Sequence, residues 1–193
     1  MPQRFFSAKS PPKKHRNIER RAREYLTPVE VDHLIRTARQ RGRYGPHDAT
    51  LLLLMYRHGL RVAEVVRLRW DMLDLKAAWL HVRRVKNGVT VVHPLRGPEL
   101  RALRQLQQTY AGMAYLFVSE RGGPLTARAV HRIVAQAGVT TGLPFPVHPH
   151  MLRHAYGFYL ANKGVDTRAL QQYLGHRNIQ HTVRYTELTP QRF

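Results

Sequence analysis

The chain has 193 residues and carries 32 Lys and Arg against 12 Asp and Glu, so its formal net charge is +20 at pH 7. It contains no cysteine, which excludes disulfide bonds and thiolate metal sites. The longest apolar run, residues 51–56, is far shorter than a membrane span, and no apolar segment typical of a secretory signal follows the basic N-terminus. Basic residues are spread along the whole chain, which favours nucleic acid as the partner over a membrane surface or an acidic protein.

Residues 1–23 are predicted to form a flexible basic arm, followed by one folded domain over residues 24–193. The arm contains two adjacent prolines and few apolar residues, so it has little with which to form a core. Its candidates for contact with a DNA backbone are Lys13, Lys14, Arg16, Arg20, Arg21 and Arg23. A solvated tail without a binding role has the same composition and stays open as the alternative.

The first predicted helices follow this arm. Thr27, Pro28 and Glu30 form a helix-start pattern in which the threonine and the glutamate cap each other's backbone N–H groups. A second helix is predicted over about residues 46–58, where the apolar run LLLLMY indicates burial. A third, short helix is predicted within RVAEVVRL, residues 61–68.

The period then changes from helical to alternating. Residues 79–95, WLHVRRVKNGVTVVHPL, alternate in polarity around Asn87-Gly88, a dipeptide that favours a hairpin turn. Together with residues 67–75 before it, this segment predicts a small three-stranded antiparallel sheet.

Helical spacing returns after the sheet. Five further helices are predicted: one through Leu100 and Tyr110, one from Thr126 to Gly138, one from His150 to about Lys163, one from Asp166 to Gly175, and one after Asn178. The predicted fold class is therefore mainly α with a small three-stranded antiparallel sheet, in a single domain.

The pattern around residue 150 predicts a phosphate-binding site. His150 and Arg153 are three residues apart on one predicted helix, so their side chains share a face. Pro149 puts them in the first turn, where free backbone N–H groups already favour an anion. Arg61 directly follows the end of another predicted helix, and two arginine forks can grip the non-bridging oxygens of one phosphate.

Tyr185 is the candidate nucleophile for such a phosphate. A phenol with a pKa of about 10 is a poor nucleophile at neutral pH unless a base and nearby cations assist it. His150 and His176 are expected to titrate near neutrality and to give that assistance. Lys86, in the predicted hairpin turn, is a candidate proton donor to a leaving 5′-oxygen. These cations can stabilise the transition state, so no metal or other cofactor is expected.

A zinc site is the alternative for the histidines, because His150 and His154 are four residues apart on one helix. The absence of cysteine and the scarcity of nearby acidic residues disfavour it. His154 and His181 are instead expected to be structural or to contact DNA.

These residues, in this order, resemble the tyrosine recombinase (phage integrase) family. The likeness rests on the motifs GLRVAE, VKNG in the hairpin, HMLRH and YLGH, and on a tyrosine nine residues after the histidine of YLGH. It covers about residues 26–193. The longer stretch LANKGVDTRALQQYLGHRNIQHTVRYT is similar to the compact invertases that switch the promoter of bacterial fimbriae.

The resemblance implies a site-specific recombinase that cuts and rejoins DNA through a 3′-phosphotyrosyl link without metal or ATP. It implies these roles: Arg61 and Arg153 hold the scissile phosphate, Lys86 protonates the 5′-oxygen, His150 assists proton transfer from Tyr185, His176 holds a phosphate oxygen, and Glu64 orients its neighbours. Two departures from the family are expected from the sequence: a catalytic segment without a separate DNA-clamping domain before it, and a short C-terminal segment of eight residues after Tyr185.

The expected partners are double-stranded DNA with inverted-repeat sites, further copies of the chain in a tetramer on DNA, and an accessory DNA-bending protein; no membrane is expected. The expected location is the bacterial cytoplasm, with the nucleoid. Two other functions stay open from sequence. A type IB-like topoisomerase would use the same chemistry without strand exchange, and a non-enzymatic DNA-binding regulator would need neither Tyr185 nor Lys86.

Overall fold

The structure, a computed structural model, describes residues 24–84 and 90–187, which form eight α-helices and one three-stranded sheet. The helices are α1 (Pro28–Arg39), α2 (Gly45–Arg57), α3 (Val62–Val65), α4 (Gly97–Thr109), α5 (Ala127–Thr141), α6 (Pro149–Asn162), α7 (Thr167–Leu174) and α8 (Gln180–Glu187). The strands are β1 (Leu73–Asp74), β2 (Trp79–Arg83) and β3 (Thr90–Pro94). The predicted fold class is confirmed.

Local side-chain hydrogen bonds set several helix starts where the sequence predicts them. The Thr27 hydroxyl accepts from the Glu30 backbone N–H at 3.3 Å, and the Glu30 carboxylate accepts from the Thr27 N–H at 2.7 Å. At the start of α7, the Asp166 carboxylate accepts from the N–H groups of Arg168 and Ala169, each at 2.9 Å. These caps satisfy backbone donors that a helix leaves unpaired at its first turn.

Helix α2 is the centre of the core, because it packs against α1, α4 and α6. Leu51, Leu52, Leu54 and Met55 are all fully buried. A helix covered on several sides needs no polar face, which explains the continuous apolar run in this segment. No helix among the described residues is both long enough and apolar enough to cross a membrane.

The sheet is antiparallel in the order β1-β2-β3, with Leu73 opposite Leu80 and Leu80 opposite His93. Its first strand is shorter than residues 67–75 suggest. Trp70 lies in a 3-10 turn (Trp70–Met72) and not in a strand, and only Leu73 and Asp74 pair with β2. The predicted turn at residues 87–88 lies outside the described residues.

Helix α5 does not end at Gly138, and that prediction is wrong. The helix continues to Thr141 and ends at Gly142, whose φ of +75° is left-handed. A Cβ on Gly138 would lie 2.6 Å from Cγ2 of Val147, so the glycine permits close packing inside the helix. A glycine within a helical pattern therefore marks a close contact here and not a stop.

Candidate active site

Five of the six residues predicted to be catalytic lie around one site, formed by the start of α3, the start of α6, the end of α7 and helix α8. They are Arg61, His150, Arg153, His176 and Tyr185. Arg61 and His176 also line an open cleft together with Arg168 and Arg177. Lys86, the sixth, lies outside the described residues, as do the six basic residues of the N-terminal arm that are candidates for contact with DNA.

The side chain of Arg153 is buried, with 1% of the residue exposed, and two hydrogen bonds fix its guanidinium. Its Nη1 donates to the Gly59 carbonyl and its Nη2 donates to the Leu174 carbonyl at 2.6 Å. Its Nε has no hydrogen-bond partner among the described residues. Two carbonyls at helix ends thus fix the plane of the fork, while a buried donor is left unsatisfied.

Arg61 is fixed by a carboxylate and a carbonyl. Its Nη1 donates to Glu64 Oε1 at 2.8 Å, and its Nη2 donates to the Gly175 carbonyl at 3.1 Å. Gly175 ends α7 with a φ of +65°, which turns the chain towards His176. The contact between Arg61 and Gly175 places Arg61 beside His176 in the same cleft, although the two residues are far apart in the chain.

A third arginine, Arg84, binds the same carboxylate as Arg61, and it was not predicted from the sequence to belong to the site. It is 1% exposed, and its Nη1 donates to Glu64 Oε2 at 2.8 Å. Its Nη2 also contacts the carbonyl of Tyr173 and, at 3.2 Å, Nε2 of His93. The signal for it was the period of two in β2, which places residue 84 on the inward side with the buried Leu80 and Val82.

Glu64 joins Arg61 to Arg84. Burial alone would raise the pKa of Glu64, but the charge of Arg84, the backbone hydrogen bond from Arg61 and the charge of Arg61 outweigh it and lower the pKa. The carboxylate is therefore ionised and offers each of its oxygens to one guanidinium. This arrangement fixes Arg61 at the site and leaves more positive than negative charge there.

That excess charge acts on Arg153. Burial, then the charges of Arg61 and Arg84, lower the pKa of Arg153 to about 9, which leaves the side chain protonated at neutral pH. Three guanidiniums and one carboxylate make a site that an anion would stabilise, because it would offset both the desolvation and the repulsion. A phosphate diester has the charge and the oxygen atoms to match two arginine forks.

Tyr185 lies on α8 and is 1% exposed. Its ring meets Phe158 edge to face at 5.0 Å and lies nearly parallel to the His176 ring at 6.2 Å between centroids. Its hydroxyl is 2.7 Å from Nδ1 of His154. Burial raises the pKa of Tyr185 against the opposing charges of Arg153 and Arg184, so the phenol keeps its proton in the DNA-free protein.

The two predicted catalytic histidines do not titrate near neutrality here. Burial, then the charges of Arg153 and Arg61, lower the pKa of His176 to about 3, and its Nδ1 is 2.9 Å from the Thr182 hydroxyl. Loss of water around the ring, then the charge of Arg153, lowers the pKa of His150 to about 4, although part of the residue is exposed. The sequence missed this difference because a pKa depends on neighbours that lie far apart in the chain.

His154, which the sequence predicts to be structural or to contact DNA, is buried and contacts the hydroxyl of the candidate nucleophile directly. Its ring also meets the His150 ring edge to face at 4.4 Å. The zinc alternative lacks further ligands, since residues 24–84 and 90–187 contain no group of three or more His, Cys, Asp or Glu side chains that could hold a metal ion.

Comparison with known proteins identifies relatives along most of the chain. The sequence model of the phage integrase family matches residues 24–192. The type 1 fimbriae regulatory protein FimE of Escherichia coli strain K12 is 44% identical over 177 residues, which are 89% of each chain. The type 1 fimbriae regulatory protein FimB of the same strain is 40% identical over 183 residues, 91% of this chain and 90% of FimB.

Solved structures show the same fold. The crystal structure of XerA recombinase superposes with a TM-score of 0.77 at 27% identity, over 86% of this chain and 61% of XerA. The XerH site-specific recombinase, in a post-cleavage complex with its palindromic difH substrate, shares the fold with a TM-score of 0.77 at 19% identity, over 92% of this chain and 53% of XerH. The chain thus belongs to the phage integrase family, and it is a tyrosine-type, site-specific DNA recombinase.

Proposed function

We propose that this recombinase inverts a DNA segment that controls genes of the fimbrial type, with Tyr185 as its nucleophile. FimE and FimB, which match about nine tenths of the chain, are named as regulatory proteins of type 1 fimbriae. The observation that supports the residue assignment is the convergence of Arg61, Arg153, His176 and Tyr185 on one positively charged site.

In the proposed reaction, Arg61 and Arg153 hold the non-bridging oxygens of the scissile phosphate, and Glu64 keeps Arg61 in position. His176 donates a hydrogen bond to a phosphate oxygen. Their donors are already oriented before DNA binds, so little reorganisation is needed as negative charge develops on the pentacovalent phosphorus. The low pKa values of His150 and His176 would rise when the phosphate supplies negative charge beside them.

Tyr185 Oη attacks the phosphorus, and the bond between phosphorus and the 5′-oxygen breaks. Lys86 gives the 5′-oxygen its proton, and His150 assists proton transfer from the tyrosine through the neighbouring His154. The phosphotyrosyl bond keeps the energy of the broken phosphodiester, so rejoining needs neither ATP nor another cofactor.

The proposed substrate is double-stranded DNA with inverted-repeat sites, bound by a tetramer together with an accessory DNA-bending protein. Four subunits would place two cleaved duplexes side by side for exchange. Residues 24–193 would be the catalytic domain and residues 1–23 a basic arm along the DNA backbone. A protein that recombines bacterial DNA would work in the cytoplasm, with the nucleoid.

A covalent trap tests this function. A suicide substrate, nicked next to the cleavage site so that the cut end diffuses away, is expected to leave the protein attached to DNA through Tyr185. Offering a library of fragments from the host locus and sequencing those attached would identify the recombination site. Tyr185→Phe removes only the nucleophilic oxygen, so we expect DNA binding without an adduct.

Three outcomes would count against the proposal. An adduct formed by Tyr185→Phe would exclude Tyr185 as the nucleophile. Trapped fragments without inverted repeats, together with relaxation of supercoils by a monomer, would favour a topoisomerase. No adduct on any fragment, despite specific binding, would favour a regulator.

The role of the arm can be tested through salt. Deleting residues 1–23 removes eight basic residues and one acidic residue, a net change of seven charges. If all seven lie on phosphates, the slope of log affinity against log salt should become shallower by about 6, through lost counterion release. A full-length variant with glutamine at the six proposed DNA-binding positions is the matched control for chain length. An unchanged slope in both would show that the arm is a free tail.

A further inference from the structure

His154 touches the atom that would attack the phosphate. Its Nδ1 is 2.7 Å from the Tyr185 hydroxyl, and both side chains are buried, with 8% and 1% of the residues exposed. The two residues are 31 positions apart in the chain, so the contact comes from the packing of α8 on α6. Because this contact is short, buried and made by the oxygen of the proposed nucleophile, it points to a chemical role for His154.

The surface of α6 is shaped to bring the hydroxyl to this histidine. His150, His154 and Gly157 follow one another at spacings of four and three, so they form one stripe along the helix. The Tyr185 ring lies over Gly157, where an added Cβ would be 2.8 Å from Cζ of the ring. The glycine therefore permits the close approach, and Phe158 and His176 flank the ring.

The protonation states of both groups allow Tyr185 to donate this hydrogen bond to His154. Burial, then the positive charge of His150, Arg184 and Arg153, lowers the pKa of His154 to about 3, so its imidazole is neutral at neutral pH. The Tyr185 phenol keeps its proton under the same conditions. In the tautomer of His154 that carries its proton on Nε2, Nδ1 accepts from the hydroxyl, and the His150 ring lies against His154 edge to face at 4.4 Å.

We infer that His154 is a further catalytic residue, which takes the proton of the Tyr185 hydroxyl as that oxygen attacks the scissile phosphate. The inference rests on the proposed function, in which Tyr185 is the nucleophile. The O–H bond of the tyrosine breaks and its proton moves to Nδ1, while a bond forms from Oη to phosphorus. The bond from phosphorus to the 5′-oxygen breaks, and that oxygen leaves as a hydroxyl with a proton from the acid assigned to Lys86.

The same residue then serves the rejoining step. When a 5′-hydroxyl attacks the phosphotyrosine, the bond from phosphorus to Oη breaks, and the phenolate needs a proton. The imidazolium of His154 returns the proton that it took, so the protein ends each cycle in its starting protonation state. Negative charge on the bound phosphate and on the departing phenolate would stabilise the imidazolium between the two steps.

Two substitutions separate proton uptake from simple placement. His154→Asn keeps a hydrogen-bond acceptor near the position of Nδ1 but cannot take up a proton, whereas His154→Leu loses both properties. We expect both variants to cleave the suicide substrate about 100-fold more slowly or worse, the range in which general acid–base groups contribute. His33→Asn, an exposed histidine on α1, is the control and should cleave normally.

Changing the acidity of the nucleophile separates a catalytic role of His154 from a structural one, because only a catalytic role makes the cleavage rate of the variant depend on that acidity. With a fluorinated tyrosine at position 185, whose hydroxyl is more acidic than that of tyrosine, the deficit of His154→Asn should shrink markedly. Melting temperature and DNA affinity, measured alongside, show whether each variant is folded. Normal cleavage by His154→Asn overturns the inference, and so does a deficit in a folded variant that the fluorinated tyrosine leaves unchanged.

Failure of the proposed function looks different. If Tyr185→Phe still forms a covalent adduct, another residue is the nucleophile, and both the proposed function and this inference fail. If Tyr185→Phe forms no adduct while His154→Asn cleaves normally, the function stands and only the assignment of His154 falls.

Discussion

Arg153→Lys is expected to slow DNA cleavage about 100-fold or more, in the range seen when one preorganised donor to a developing charge is removed. A lysine keeps the positive charge but cannot form the planar fork that holds two oxygens at once. In this protein the fork is also aimed by the Gly59 and Leu174 carbonyls, which a single ammonium cannot satisfy together. DNA affinity should change little, because many other basic residues supply it.

The lysine variant is a better test than alanine because Arg153 also supports the fold. In Arg153→Ala the two carbonyls lose their donor, and each buried unsatisfied group costs about 1–3 kcal/mol. That sum is a large part of a typical folding free energy of about 5–15 kcal/mol. Single-turnover cleavage and DNA binding should be compared at a temperature at which both variants are folded.

Arg132→Lys, at an exposed position on α5, controls for the general effect of the substitution. It should leave both cleavage and binding unchanged. Equal losses of binding and cleavage in Arg153→Lys would show that Arg153 only docks the DNA backbone.

The sequence predicted the helices well where the signals are local. Thr27 and Asp166 cap the helices that they were expected to cap, because a capping hydrogen bond depends on residues only two or three positions away. Gly142 shows the limit of such reasoning. It ends α5 in place of Gly138, because Gly138 packs against Val147 and this contact depends on the path of the following loop.

The residues of the candidate active site were predictable from the sequence only in part. Arg61, Arg153, His154 and Tyr185 stand in motifs, but the motif does not show that His154 meets Tyr185, and Arg84 stands in none of the motifs. Arg84 reaches Glu64 from the end of β2, and His154 meets Tyr185 across a helix–helix contact. In a chain with 32 Lys and Arg, one buried arginine has no local feature that separates it from exposed ones except strand alternation.

Arg84 is also two positions before Lys86 in the sequence, and Lys86 lies outside the described residues. Arg84 is the last described residue before the segment that carries Lys86, and it is bound to Glu64 and to the Tyr173 carbonyl.

Lys86→Ala is expected to reduce cleavage of normal DNA about 100-fold to 10,000-fold, the range for loss of a general acid. An alkoxide is a very poor leaving group, so the 5′-oxygen needs a proton as the bond to phosphorus breaks. A 5′-bridging phosphorothiolate leaves as a thiolate, which is stable without that proton. Lys86→Ala should therefore cleave the sulfur substrate at close to the wild-type rate.

The control for this rescue is Arg153→Lys, whose defect concerns the non-bridging oxygens and should persist on the sulfur substrate. Lysines in exposed turns usually contact the DNA backbone and nothing more, and that is the rival role for Lys86. A backbone contact would lower cleavage of both substrates by the same factor, since sulfur at the 5′ position does not replace a lost contact elsewhere. In that event the leaving oxygen would take its proton from another group, and His176, stacked on the Tyr185 ring in the same cleft as Arg61, would be the first to test.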